Sequence, residues 1–198
     1  MSRDTERRLV LASTSPQRAA ILRQLRIPFE VVTPTYDETA PAATDVVDLV
    51  REHARGKARS VHAGAGVTLG VDTAVSLNGE IYGKAADTAA AARMLRGLSG
   101  RTHTVVSGVC VVVGSIEIVE HATTTVVFAT LGERLLADYL ASREWEGRAG
   151  AYAIQGLGAR LVDRIDGDYL NVVGLPVSVL RDILSHHAPS LLELEPGA

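Results

Sequence analysis

The stretch Ser13-Thr14-Ser15-Pro16-Gln17-Arg18 gathers hydroxyls, an amide and a guanidinium where an apolar run, Leu9–Ala12, gives way to a helical pattern. Ser15 stands at a predicted N-cap and Pro16 at the first helical position. The unbonded N–H groups and positive end of such a helix favour an anion. Ser13 and Ser15 would add donors, and Arg18 a forked contact of the kind that suits phosphate. A plain capped helix with a solvated arginine would use the same residues. Lys57 is a second anomaly, because it lies seven residues after Val50 and four before Val61, on the apolar face of its helix. An ammonium there must snorkel to water or meet an anion, since an unpaired buried charge is costly.

Asp72 follows the run Val67-Thr-Leu-Gly-Val71. An aspartate disfavours a strand unless it caps, bulges or does chemistry, so the strand is expected to break near it. Lys84 lies beyond an Asn78-Gly79 turn, and that reversal would bring a cation back toward Asp72. Other patterns fail on inspection. Gly79-Glu-Ile-Tyr-Gly83-Lys84-Ala85 imitates a phosphate-binding loop but is one residue short and ends in Ala. Gly156-Leu-Gly158 lacks the third glycine of a dinucleotide fingerprint, and no G-x-S-x-G elbow is present. The six histidines show no metalloprotease spacing, and His186-His187 read as surface residues.

These groups need elements to hold them. Strands are predicted at Arg8–Ala12 and Phe29–Val32, and a turn-rich stretch over 33–44. A helix follows over Asp45–His62, with Val46, Val50, Ala54, Ala58 and Val61 at helical spacing. Val67–Val75 and Glu80–Tyr82 form a hairpin across Asn78-Gly79, and Asp87–Leu98 a helix stopped by Ser99-Gly100. Thr102–Val113 and Ile116–Phe128 pair across Gly114-Ser115. Leu131–Ser142 reads as a helix, Gly147–Gly158 as a loop, Leu161–Ile165 as a strand and Pro176–His187 as a last helix, before a short acidic tail over 189–198. The whole predicts a mixed α/β sheet, curved and elongated, in a single domain over residues 1–198.

Composition limits the function. The chain has 198 residues, 46% of them hydrophobic and 22% charged, enough for a substantial core. A net charge of −3 and only 4% aromatic residues argue against a nucleic-acid polymer or an anionic membrane surface as partner. The single cysteine, Cys110, excludes an internal disulfide and a thiolate zinc cage, and its place in the apolar run Val105–Val113 suits a buried structural role. The charged start of the chain and the short run Leu9–Ala12 do not make a secretion signal, and no run approaches the roughly 18 residues of a membrane span, so a cytoplasmic protein is expected.

Together the runs Leu9-Val-Leu-Ala-Ser-Thr-Ser-Pro-Gln-Arg18, Tyr36-Asp-Glu-Thr39, Lys57-Ala58, Gly70-Val-Asp-Thr-Ala-Val75 and Gly83-Lys84 closely resemble the Maf family of nucleoside triphosphate pyrophosphatases. So do Leu98-Ser-Gly-Arg-Thr-His103, Ala149-Gly-Ala-Tyr-Ala-Ile-Gln-Gly156 and Asn171-Val-Val-Gly-Leu-Pro176 downstream. The resemblance implies a mixed α/β fold shared with inosine triphosphatases, with helices flanking the sheet in two lobes and a central cleft. It implies cleavage between the α- and β-phosphates to a nucleoside monophosphate and pyrophosphate, with a divalent cation, Mg²⁺ or Mn²⁺. By that resemblance Asp72 is the proton acceptor for the attacking water, and Glu38 with Asp72 holds the metal. Ser13, Ser15, Arg18, Lys57 and Lys84 face the phosphates. The positions tied to base choice hold Gln17, Thr73 and Gln155. Thr73 and Gln155 match the branch acting on dTTP and UTP, whereas the 7-methyl-GTP branch carries Gln and Glu there. Gln17 departs from both branches, which usually carry Arg and Trp, and Gly56 replaces a usual acidic residue before Lys57. The alternatives this leaves are the same reaction on a purine or modified nucleotide, and a nucleotide-binding regulator of cell division. Similar proteins often form homodimers.

Overall fold

The computed structural model describes residues 8–38 and 45–193. The chain before residue 8, residues 39–44 of the turn-rich stretch and the end of the acidic tail, from residue 194, lie outside the described residues. Strands β1 (Leu9–Ala12), β2 (Phe29–Val32), β3 (Val67–Leu77), β4 (Glu80–Tyr82), β5 (Thr102–Val113), β6 (Ile116–Phe128) and β7 (Val162–Asp166) join in one seven-stranded sheet. Its order is β2-β1-β3-β5-β6-β7, with β4 hydrogen-bonded to β3. β1 pairs in parallel with β2 and β3, whereas β3–β4 and β6–β7 are antiparallel, so the sheet is mixed as the sequence predicts. The helices are α1 (Pro16–Gln24), α2 (Val46–Val61), α3 (Thr88–Leu98), α4 (Glu133–Ser142), α5 (Tyr169–Val173) and α6 (Val177–His187). None of the helices among the described residues is long and apolar enough to cross a membrane.

The chain packs into two compact units. The first takes the described parts of Met1–Asp72, Ser107–Ala122 and Gly174–Ala198; the second takes Thr73–Val106 and Thr123–Val173. In the first, α2 begins where the Asp45 carboxylate accepts from the N–H groups of Val47 (2.8 Å) and Asp48 (3.3 Å), satisfying donors that the first turn leaves unbonded. It ends at His62, whose N–H donates to the Ala58 carbonyl at 3.0 Å. The helix lies hard against the sheet because two strand positions lack a side chain. A Cβ on Gly70 of β3 would overlap the backbone of α2 at Ala54 and Ala58, and one on Gly108 of β5 would overlap it at Val50. Cys110 is fully buried beside Ala54 and Ala58, and burial pushes its thiol up to about 12, consistent with an inert packing role.

The second unit is built on an apolar cluster that includes Leu95, Leu98, Phe128, Tyr139, Trp145, Tyr152 and Leu161. Each such side chain removed from water contributes about 1.5–3 kcal/mol before ordering costs. Asn78 and Gly79, both in the left-handed region (φ 53° and 84°), turn β3 into β4, with Leu77 opposite Glu80. Asp87 caps α3 by accepting from the Ala90 N–H at 2.7 Å.

β5 and β6 occupy the expected ranges, and α2 lies within one residue of its predicted limits at each end. Two expectations are corrected, and one element is additional. β3 does not break near Asp72 but runs unbroken from Val67 to Leu77. The helix read from Leu131 starts at Glu133, after Gly132 in the N-cap position. The short helix α5 carries no sequence signal of its own and was not anticipated.

Candidate functional site

β1 stops one residue before Ser13, and the chain bends at once, the Ser13 N–H donating back to the Leu11 carbonyl at 2.9 Å. α1 then starts at Pro16, with Ser15 in the N-cap position as expected. The Ser15 hydroxyl, however, does not cap. It donates to Gln17 Oε1 at 3.3 Å, while its own N–H donates to Ser13 Oγ at 3.2 Å. Ser13 is buried and also accepts from an Arg18 N–H at 3.0 Å, and Arg18 Nε donates to the Gly174 carbonyl at 2.9 Å. Hydroxyl and guanidinium are thus fixed to each other at the end of β1.

Lys57 answers its own anomaly. Its ammonium is buried and does not snorkel; it donates to Asp72 Oδ1 at 2.5 Å and pairs with Glu38 Oε1 at 2.8 Å. The close seating of α2 on Gly70 brings this about, since Asp72 lies two residues further along the same strand. With its carboxylate met by Lys57, Asp72 needs no bend toward water, which is why β3 continues through it.

A residue the sequence reading missed completes the cluster. His53, one turn before Lys57 on α2, places Nδ1 3.4 Å from Asp72 Oδ2. The signal was present, because the helical spacing that flags Lys57 puts His53 on the same face at i−4. Its ring meets Tyr36 edge-on, with centroids 5.7 Å apart. The Tyr36 ring in turn occupies the space where a Cβ on residue 56 would stand. Gly56, which looked like a departure from a motif, is therefore the notch that admits Tyr36.

The charges follow from these contacts. Burial alone would raise the Asp72 carboxyl. The His53 contact and the charge and hydrogen bond of Lys57, with Arg18 further out, outweigh it and hold Asp72 below the usual carboxylate value. His53 is raised, first by its contact with Asp72, against the opposing effect of burial. Asp72 is therefore an ionised base at neutral pH, held against a cation. The ligand atoms of Glu38, His53 and Asp72 lie within 4.8 Å of one another. Two carboxylates and an imidazole are a donor set that fits a divalent cation. Among the described residues no other group of three such side chains converges in this way.

Lys84, Thr73 and Gln155 belong to the second unit. Lys84 is exposed, and its backbone bridges to Ala149. Thr73 is half-buried in β3. Gln155 is exposed at the start of a 3₁₀ turn, Gly156–Leu161. There the Glu144 carboxylate accepts from the N–H groups of Leu157 (3.1 Å) and Gly158 (3.2 Å).

Comparison with known proteins shows the family to which the chain belongs. The family model described as "Maf-like protein" matches residues 8–187. A dTTP/UTP pyrophosphatase of Symbiobacterium thermophilum is 48% identical over 172 residues, covering 85% of this chain and 88% of that protein. One from Alcanivorax borkumensis is 44% identical over 180 residues, covering 89% and 93%. Among solved structures, a HAM1 protein from Coxiella burnetii aligns with a TM-score of 0.45 at 18% identity, over 63% of this chain and 74% of that one.

Proposed function

The chain belongs to the Maf family, and from that premise we propose that it is a nucleoside triphosphate pyrophosphatase acting on dTTP and UTP. It hydrolyses the bond between the α- and β-phosphates, releasing a nucleoside monophosphate and pyrophosphate. The observation that carries the residue roles is the buried Lys57–Asp72 pair, a carboxylate kept ionised beside a fixed cation.

Asp72 takes the proton of the water that attacks the α-phosphorus, the work of a positioned general base. Lys57 holds Asp72 in place and, with Arg18 and Ser13 at the end of β1, supplies positive charge and donors to the phosphates. Phosphoryl transfer depends mainly on such positioning and charge neutralisation. Ser15 binds the same phosphates, Lys84 adds a cation, and Gln17, Thr73 and Gln155 choose the base. An amide such as Gln155 can donate to and accept from a pyrimidine imide edge at once. Glu38 and Asp72 would hold Mg²⁺ or Mn²⁺, which would offset charge on the triphosphate oxygens. A net charge of −3 suits a free nucleotide better than a polymer, and we place the reaction in the cytoplasm.

The test is a panel of nucleoside triphosphates at equal concentration with Mg²⁺, products identified by chromatography. dTTP and UTP should give monophosphate and pyrophosphate. Asp72→Asn, which keeps the shape of the side chain and loses the base, should lower turnover by about 10²–10⁴-fold while the protein still melts cooperatively. Release of orthophosphate alone would refute the bond assigned, and a clear purine preference would refute the substrate.

A further inference from the structure

We propose that His53 is a third protein ligand, giving this site an imidazole nitrogen beside the two carboxylates and tilting it toward transition-metal divalents over Mg²⁺. The inference rests on the metal-dependent pyrophosphatase reading above and adds a ligand that reading does not assign. Three observations support it. First, the geometry is close to what coordination requires. Bonds of about 2.0–2.2 Å put neighbouring donors of an octahedral ion about 3 Å apart and opposed donors about 4.3 Å apart. His53 Nδ1 and Asp72 Oδ2 are already 3.4 Å apart, and all three ligand atoms lie within 4.8 Å of one another, so the set is somewhat wider than a filled shell and draws together on a bound ion.

Second, Asp72 divides its two oxygens. Oδ1 accepts from Lys57, whereas Oδ2 faces His53. The carboxylate can therefore keep its ammonium partner while offering the other oxygen to a metal. The Lys57 ammonium already bridges Glu38 and Asp72, so the place attracts positive charge.

Third, the imidazole is held from the side. Tyr36 packs against it at an interplanar angle of 61°, and Tyr36 is itself lodged against Gly56. A ligand whose plane is fixed before the metal arrives loses less freedom on binding. The consequence is one of selectivity. Mg²⁺ prefers an all-oxygen shell and keeps its waters, whereas imidazole nitrogen favours Co²⁺ and later divalents, so the nitrogen adds affinity for one class and little for the other.

The experiment uses the full chain, free of nucleotide, with Mn²⁺ as a spectroscopic probe and Co²⁺ and Mg²⁺ as affinity probes. Pulsed EPR of bound Mn²⁺ should show coupling to an imidazole ¹⁴N, absent in both His53→Leu and His53→Gln. The ratio of Co²⁺ to Mg²⁺ affinity, measured by calorimetry, should fall about tenfold or more in both variants. No Mn²⁺ binding, or bound Mn²⁺ without nitrogen coupling in the unaltered protein, overturns the inference. So does an unchanged Co²⁺-to-Mg²⁺ ratio in the variants, which would leave His53 as a residue that orients Asp72. Because the wild-type spectrum is decisive, a variant that folds poorly does not stall the test. Pyrophosphate release from dTTP by the unaltered protein is read separately. Hydrolysis without nitrogen coupling removes this inference and keeps the activity; coupling without hydrolysis does the reverse.

Discussion

Two histidines, one in each unit, are taken out of water and pushed in opposite directions. His53, on α2 of the first unit, sits beside Asp72, and the contact raises it above the ordinary histidine value. His103, on β5 of the second unit, is almost fully buried among Phe128 and Tyr152, and desolvation pushes it down to about 4. Its Nε2 lies 2.9 Å from the Tyr152 hydroxyl, and its Nδ1 has no partner. Burial penalises the charged form in both places, and only the carboxylate beside His53 reverses the outcome. The first unit spends buried volume on charges that compensate one another, and the second keeps a neutral aromatic interior. The base and the metal ligands proposed above lie in the charged unit.

Removing the compensation should have the largest effect. Lys57→Met keeps the length and the apolar stem but leaves Asp72 and Glu38 without their shared cation. Breaking a buried pair typically costs about 3–5 kcal/mol, and the lower end applies because His53 and Arg18 still serve Asp72. Turnover of dTTP should fall at least a hundredfold on the order of other lost phosphate-site charges. Urea unfolding and pyrophosphate release measure the two effects, and a variant as stable as the parent would show that the pair contributes little.

The second unit supplies the next effect, through pH. His103 takes up a proton below about 6.5 in the unfolded chain but only below about 4 in the folded one. The unfolded state therefore binds more protons between these values, and stability falls as pH drops from 6.5 toward 4, by about 3 kcal/mol in all. Above 6.5 the group contributes its full share. Unfolding free energies at pH 7.5, 6 and 4.5 should decline less steeply in His103→Leu than in the parent; parallel declines would remove the claim.

The smallest effect lies at the support of the charged site. Ala normally stabilises a helix interior relative to Gly by about 1 kcal/mol. At position 56 the added methyl would overlap the Tyr36 ring, an overpacking cost of about 1–3 kcal/mol, so Gly56→Ala should destabilise by about 1 kcal/mol net. Combining it with Tyr36→Ala should return the ordinary helix gain. If the single substitution stabilises the protein, the notch is not filled as described.

Much of this was legible beforehand, and the legible parts share a cause. The β5–β6 hairpin, the Asn78-Gly79 turn and the limits of α2 depend on neighbours a few residues away, through alternation, left-handed turn residues and the Asp45 cap. Lys57 stood out because helical periodicity alone put a charge on an apolar face. What failed was either unmarked or conditional. The five-residue α5 is too short to show a period. The Ser15 hydroxyl had a second acceptor, Gln17, beside the cap it was expected to make. The break expected at Asp72 followed from propensity, which assumes a carboxylate without a partner.

The sequence by itself determined the elements and which residue types could do chemistry, because those properties follow from local spacing and side-chain character. Only the tertiary structure decided that Lys57 and His53 share the Asp72 carboxylate, that β3 runs through Asp72, and that Gly56 makes room for Tyr36. The first two require α2 seated on Gly70 and Gly108 and the third Tyr36 laid against α2, contacts between segments whose separation along the chain carries no periodic signal. A buried charge is tolerated or forbidden by what stands within a few ångströms of it, and that distance exists only once the chain has folded.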